Sequence, residues 1–205
     1  AVTIENFLDS VRSKMPELIE ILQRFGSPQI RNQGTIGGNL CTSSPIGDLA
    51  PLLMVLNSDI NVFGKNGIKK TNIKNFFKGY RKNILKKDEI ILSIEIPYPN
   101  KKNKIFSWKL SKRYDQDIST ISLAINIQTQ KNIIKEIQMA AGGVAATPKS
   151  LDKLCKSMLE KKLDDAIDFA TENLDKFIQP ISDLRGSSHY RFEAMKGLFI
   201  RSVSY

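Results

Sequence analysis

The feature that most constrains this sequence is a polar, glycine-rich run between residues 30 and 48. Gly34, Gly37 and Gly38 lie within five positions, and glycine lets a backbone turn through positive φ or approach a ligand closely. Short hydrogen-bonding side chains surround them, and the run ends at Asp48, a carboxylate that can accept hydroxyl hydrogen bonds. A polar loop would explain two neighbouring glycines, but the whole run favours a surface for a phosphorylated, ribose-bearing ligand.

Composition limits the other classes of function. The chain has 205 residues and a net charge of +10, which allows an anionic cofactor, an acidic partner or nucleic acid. Its lysines are scattered and do not alternate with stacking aromatic residues, so a solvated basic surface is favoured over nucleic-acid binding. No apolar run approaches the roughly 20 residues of a membrane span, and no signal peptide is visible. These observations predict a cytoplasmic protein.

Metal and nucleophile chemistry has few candidates. The two cysteines, Cys41 and Cys155, form no CxxC pair, which indicates reduced thiols and no iron–sulfur or cysteine-based zinc site. His189 is the only histidine, and nothing in its surroundings indicates a catalytic triad. The acids at 115 and 117 lack the further ligands that a metal site needs. We therefore predict no metal site and no catalytic residue in this chain.

Residues 1–100 are predicted to form a first unit. Thr3 can cap a helix, Pro16 suits the start of a second helix that ends at Gly26, and 49–56 forms a short buried helix against the ligand loop. Strands are predicted at 59–63, 68–73 and 90–96, the first two joined by a type I′ turn at Asn66-Gly67. The aromatic segment 76–81 is expected as a loop or short helix.

Residues 104–205 are predicted to form a second unit after a basic turn at 100–104. Three antiparallel strands are expected at 105–111, 118–129 and 133–144. Helices then follow from Pro148, over 163–177, and after a cap at Ser187 or Ser188. Strands followed by helices predict an α+β fold.

Several segments together carry a resemblance to a known family. They are 26–32, 34–39, 44–48, 76–82, 89–97, 109–113 and 181–187, the last followed by Tyr190-Arg191. In this order they resemble the flavin domain of the xanthine dehydrogenase, or molybdenum hydroxylase, family. The resemblance implies the second lobe of a vanillyl-alcohol-oxidase-type FAD-binding domain, followed by a C-terminal subdomain of the carbon-monoxide-dehydrogenase-flavoprotein type. Family members carry a further N-terminal flavin lobe, and the chain is expected to lack it.

The resemblance also implies which residues bind FAD. Those expected to serve the pyrophosphate and ribityl chain, through backbone amides, small side chains or hydroxyls, are Thr35, Ile36, Gly37, Gly38, Asn39, Thr42 and Ser44. Asp48 and Phe25 are assigned to the adenosine half, although helix core explains Phe25 equally well. Ile91 is assigned to the isoalloxazine ring, and Lys109 to its pyrimidine end, where a fixed positive charge stabilises the reduced flavin. Asp48 and Lys109 are thus expected at opposite ends of the cofactor.

Function and partners follow from the same resemblance. Electrons would come from a molybdenum cofactor and iron–sulfur clusters on other domains or subunits, and would pass through FAD to NAD. Tyr80 is placed near the nicotinamide entry, and the segment 114–117 is expected to act as a gating loop. Two alternatives stay open: an assembly fragment without catalysis, and the flavin subunit of a related carbon-monoxide dehydrogenase or aldehyde oxidase-like enzyme.

Overall fold

Five short helices open the chain in the computed structural model, which describes residues 1–203 apart from the side chain of residue 203. They are α1 (Ile4–Val11), α2 (Ile19–Gln23), α3 (Pro28–Gln33), α4 (Ile36–Cys41) and α5 (Leu49–Val55), with a 3₁₀ turn at Pro16–Leu18 before α2. Thr3 caps α1 by accepting a hydrogen bond from the amide of Asn6, as predicted. Pro16 opens the second helical segment, also as predicted.

The first part of the glycine-rich run is helical, in α3 and α4, where the sequence predicted a loop. Ser27 accepts from the amide of Ile30 and so starts α3, with Pro28 in its first turn. Thr35 accepts from the amide of Gly38 and so starts α4. These caps, together with the burial of Ile36 and Leu40, offset the low helix propensity of the glycines.

The first sheet is antiparallel with strand order β2-β1-β5. Its strands are β1 (Asp59–Gly64), β2 (Gly67–Asn72) and β5 (Ile90–Glu95), close to the predicted bounds. The predicted type of the turn between β1 and β2 was wrong. A type I′ turn at Asn66-Gly67 needs positive φ at both residues, whereas in this described turn only Gly67 has it, at 91°.

A small hairpin replaces the loop or short helix that was predicted at 76–81. It consists of β3 (Phe77–Gly79) and β4 (Lys82–Asn83) and follows a 3₁₀ turn at Ile73–Asn75. Arg81 adopts φ of 53° in its turn, and its amide donates to the carbonyl of Ser43. The hairpin is thereby fixed beside the segment that follows α4.

The second sheet has four antiparallel strands where three were predicted. They are β6 (Lys104–Leu110), β7 (Ile121–Gln130), β8 (Ile133–Gly142) and β9 (Lys149–Ser150), in sequential order. The added strand β9 has two residues, which is too short to give an alternating pattern in the sequence. It also displaces the helix predicted from Pro148, which begins at Asp152 instead.

Three helices complete the fold and cover one face of the second sheet. They are α6 (Asp152–Met158), α7 (Leu163–Glu172) and α8 (Ser188–Val203), with a 3₁₀ turn at Leu174–Lys176 after α7. Ser187 caps α8 by accepting from the amide of Tyr190 at 3.0 Å. Helices and antiparallel strands together confirm the α+β class.

Helix α5 joins the two halves of the molecule, because all of its residues are buried. It packs against both β7 and β8, and Ala124 and Ala140 of those strands belong to the same apolar cluster as α1 and β1. Asn126 on β7 donates to the carbonyl of Val55 at 3.1 Å. This packing fixes Asp48, which immediately precedes α5.

Candidate functional site

A cleft of about 620 Å³ lies beside the start of α4. The predicted site residues that line it are Thr35, Ile36, Gly37, Gly38 and Ile91, and Cys41 lines it as well. A Cβ added to Gly37 would meet the side chain of Ile91 at 3.9 Å, so the glycine and strand β5 face each other at van der Waals distance. Burial raises the pKa of the Cys41 thiol, which disfavours a reactive thiolate in this cleft.

The backbone amides of the glycine segment are mostly used within the chain. The amide of Ile36 donates to the carbonyl of Val2, that of Gly38 to Thr35 Oγ1, and that of Asn39 to the carbonyl of Thr35. Helix capping and helix formation thus engage the amides of Ile36, Gly38 and Asn39, and the contact of this segment with a pyrophosphate stays a prediction. What the segment presents to the cleft is the small surface of Gly37 and Gly38.

A second cavity, of about 300 Å³, lies on the other side of α4. The predicted residues that line it are Phe25, Asn39, Ser44, Asp48 and Lys109. Gly38 lines the first cavity and its neighbour Asn39 the second, so α4 separates the two. The structure therefore brings ten of the eleven predicted site residues to the two sides of one helix.

Thr42 is the exception. It lines neither of these two cavities, and its hydroxyl donates to the carbonyl of Asn39 at 2.7 Å. This hydrogen bond closes the last turn of α4, and the ligand contact of Thr42 stays a prediction. Ser44 does line the second cavity, and its hydroxyl accepts from the amide of Ile46 at 3.3 Å.

An ion pair lies in the second cavity. Lys109 Nζ donates to Asp48 Oδ2 at 2.7 Å, and the two side chains are only 1% and 10% exposed. The expectation that these residues mark opposite ends of a cofactor was wrong, since they are in contact. The structure also separates Ile91 from Lys109, because they line different cavities.

Two residues that the sequence did not single out support this ion pair. The hydroxyl of Ser119 donates to Asp48 Oδ1. Arg24 donates through Nη1 to the carbonyl of Lys109 at 2.9 Å, and its own carbonyl accepts from Lys109 Nζ at 3.2 Å. Both residues are far from their partners in sequence, and neither belongs to a local pattern that could have revealed it.

The segment 114–117 closes one side of the second cavity. Gln116, Asp117 and Ile118 line the cavity, and the Arg24 guanidinium lies 4.5 Å from the centre of the Tyr114 ring. The Asp117 carboxylate accepts from the amide of Arg113, and this hydrogen bond lowers the pKa of Asp117. The segment is thus held at both ends in this conformation.

One polar atom in the second cavity lacks a partner among the described residues. Asn39 Oδ1 is buried, and nothing within residues 1–203 donates to it. A buried acceptor without a donor is costly unless water or a ligand supplies one. The cavity therefore offers an acceptor in Asn39, a cation in Lys109 and the aromatic ring of Phe25, which suits an aromatic ligand with hydroxyl and carbonyl groups.

Comparison with known proteins identifies the family. Residues 1–99 match the model of the FAD binding domain in molybdopterin dehydrogenase, and residues 106–205 match that of the CO dehydrogenase flavoprotein C-terminal domain. The glyceraldehyde dehydrogenase medium chain of Sulfolobus acidocaldarius is 31% identical over 195 residues, which cover 95% of this chain and 69% of that protein. The chain belongs to the molybdenum hydroxylase family. Within that family it is an FAD-binding flavoprotein.

Other relatives of this flavoprotein agree with that result. The xanthine dehydrogenase/oxidase of Gallus gallus is 33% identical over 165 residues, which cover 77% of this chain but only 12% of that protein. A solved carbon monoxide dehydrogenase of Hydrogenophaga pseudoflava, lacking the molybdenum-pyranopterin moiety, superposes with a TM-score of 0.90 at 25% identity. That match covers 98% of the flavoprotein and 70% of the solved chain.

The residues of the flavoprotein fit FAD, the cofactor of its family. The unpartnered Asn39 Oδ1 and the glycine surface of α4 are the two features that a ribityl-containing dinucleotide can use. None of the helices within residues 1–203 is long and apolar enough to cross a lipid bilayer.

Proposed function

We propose that the flavoprotein holds FAD across α4, with one half of the cofactor in each cavity, and serves a xanthine dehydrogenase-like oxidoreductase that reduces NAD. The observation that carries this proposal is that Gly38 and Asn39, adjacent on α4, face the two cavities and so offer a path between them. FAD is long enough to need two such sites, one for each ring system.

We assign the isoalloxazine ring to the second cavity, which reverses the placement that the family resemblance implied for Phe25, Asp48 and Ile91. A pyrimidinedione edge carries carbonyl acceptors, and Lys109, which lines this cavity, has a third N–H besides those bound to Asp48 and to the Arg24 carbonyl. Phe25 and Ile118 supply apolar surface for a flat ring. The adenosine half is then assigned to the first cavity, where Ile91 supplies apolar surface instead.

FAD, when bound, supplies the electron and hydride transfer chemistry. The chain's own residues orient the ring and exclude water. Lys109 holds a fixed positive charge in the second cavity, and Asn39 Oδ1 would accept a hydrogen bond from a cofactor hydroxyl. No proton transfer by a side chain of this protein is required.

Partners and acceptor complete the proposal. In this proposal electrons would reach FAD from iron–sulfur clusters and a molybdenum subunit, a further flavin lobe would cover the cofactor, and NAD would be the acceptor in the cytoplasm. Tyr80, 58% exposed on the hairpin beside Ser43, is the proposed contact for nicotinamide. Xanthine is the proposed substrate of the complex. An aldehyde is the alternative candidate substrate, since one relative is a glyceraldehyde dehydrogenase medium chain.

The placement of the ring systems is tested by substitution of one residue in each cavity. Phe25→Leu should shift the visible absorption bands of bound FAD, while Ile91→Ala should lower FAD retention and leave the bands in place. If Ile91→Ala shifts the bands and Phe25→Leu only lowers retention, the assignment of the two halves is reversed. If neither the variants nor the wild type retains FAD, the proposal is refuted. Steady-state assays of the purified complex with xanthine or glyceraldehyde, and with NAD or oxygen, decide substrate and acceptor.

A further inference from the structure

The ammonium group of Lys109 is held in a fixed position. It donates to Asp48 Oδ2 at 2.7 Å and to the carbonyl of Arg24 at 3.2 Å. An ammonium group has three N–H donors, so a third can meet an acceptor in the cavity that Lys109 lines. With its side chain only 1% exposed, Lys109 has little freedom to adopt another position.

Asp48 is engaged at both of its oxygens. Oδ2 accepts from Lys109, and Oδ1 accepts from the hydroxyl of Ser119. Its backbone is fixed as well, because it immediately precedes the fully buried helix α5. Both carboxylate oxygens thus bind protein donors, which fixes the carboxylate between Lys109 and Ser119.

We infer that Asp48 and Ser119 are positioning residues that hold Lys109 against the cofactor, offset its charge and thereby set the reduction potential of the bound flavin. This inference rests on the proposed function. A positive charge beside a flavin favours its reduced form, whereas a carboxylate beside that charge opposes the effect. The Ser119 hydrogen bond to Oδ1 holds the carboxylate in its contact with Lys109.

The chain offers a matched control for Ser119. Ser122 is also buried and lies three residues further along, yet its hydroxyl has no partner among residues 1–203. Ser119→Ala and Ser122→Ala therefore remove the same group from nearby positions, but only the first removes a hydrogen bond to Asp48. Ser119→Thr retains a hydroxyl and serves as the rescue variant.

The test is a redox titration of the FAD-loaded protein in its complex. Asp48→Asn should raise the two-electron potential, with at least a tenfold change in the oxidised-to-reduced ratio at a fixed potential, which is about 30 mV. Ser119→Ala should move the potential by a smaller amount, Ser119→Thr should restore it, and Ser122→Ala should leave it unchanged. Loss of FAD from Ser119→Ala alone, with recovery in Ser119→Thr, would also support the role of the hydroxyl.

Three results would overturn the inference. If Asp48 itself binds a cofactor hydroxyl, Asp48→Asn weakens FAD retention and leaves the potential unchanged. If Ser119→Ala and Ser122→Ala act alike, or if Ser119→Thr fails to restore the wild-type value, the hydroxyl has only a packing role. Wild-type protein that takes up no FAD would instead refute the proposed function, so the two failures are distinguishable.

Discussion

Gly38 is the position at which a single added carbon tests how α4 is built. A Cβ at Gly38 would lie 2.8 Å from Thr35 Oγ1, the atom that accepts from the Gly38 amide at 3.0 Å. Loss of such a cap costs about 1 kcal/mol. Replacement of glycine by alanine in a helix contributes up to about 1 kcal/mol in the opposite direction. We therefore expect Gly38→Ala to leave the free energy of unfolding almost unchanged.

Gly37→Ala is the matched control, because it adds the same carbon at the neighbouring position. There the Cβ meets Ile91 at an ordinary 3.9 Å, and no cap is disturbed. We expect Gly37→Ala to be more stable than Gly38→Ala by about 1 kcal/mol, which is about 2–4 °C in Tm for a chain of this size. Urea or thermal unfolding measures the difference.

Thr35→Ala completes the design as a thermodynamic cycle. Once the capping hydroxyl is gone, the Cβ of Ala at position 38 has nothing to displace, so both alanine substitutions should stabilise the Thr35→Ala protein equally. The reasoning fails if Gly38→Ala stabilises the wild type as much as Gly37→Ala does. It also fails if the difference between them persists without Thr35.

Three further predictions concern charge and access. Lys109→Met should lower the free energy of unfolding by about 3–5 kcal/mol, because it leaves the buried Asp48 carboxylate without its cation. Chemical denaturation measures this loss, and the double variant with Asp48→Asn should recover part of it. Burial raises the pKa of Asp183, but hydrogen bonds from the Arg185 amide and the Arg191 guanidinium outweigh burial, so the net pKa in the folded state is lowered. Asp183 therefore stabilises the fold above its unfolded pKa of about 3.9. That stability is lost as pH falls through the lower pKa of the folded state. Unfolding of Asp183→Asn should depend less on pH in that acidic window, as followed by circular dichroism. Iodoacetamide should label Cys41 slowly, and more slowly still once FAD is bound, as followed by mass spectrometry.

Local sequence patterns predicted the elements whose signals lie within a few residues. The buried helix α5, the strands β1 and β5 and the cap at Thr3 each follow from apolar spacing or a single capping residue. Strand β9 and the β3–β4 hairpin were not predicted, because strands of two or three residues are too short to show an alternation of apolar and polar residues. Helices α3 and α4 were not predicted, because their composition favours a loop and only the caps and the buried contacts make them helical.

The arrangement of the predicted site residues could not be inferred from the sequence. Motifs related to a known family proposed residues that line two neighbouring cavities. They did not indicate that Asp48 and Lys109 touch, since 61 positions separate the two in the sequence. Ser119 was missed for the same reason, because it is 71 positions from the carboxylate that it binds. Contacts of this kind depend on how α5 packs against the second sheet, which no local pattern encodes.

In the proposed complex, the contact between Asp48 and Lys109 also decides which charges act on the cofactor. The net charge of +10 comes mostly from exposed lysines, whose fields are screened within about 10 Å at ~0.1 M salt and about 3 Å at ~1 M. Lys109 is buried, and its counter-charge lies 2.7 Å away, so solvent ions barely screen the pair. We therefore expect the potential of the bound flavin to stay constant across this range of salt while Asp48→Asn shifts it. A potential that follows the salt concentration would instead assign control to the surface lysines, because only their fields depend on mobile ions.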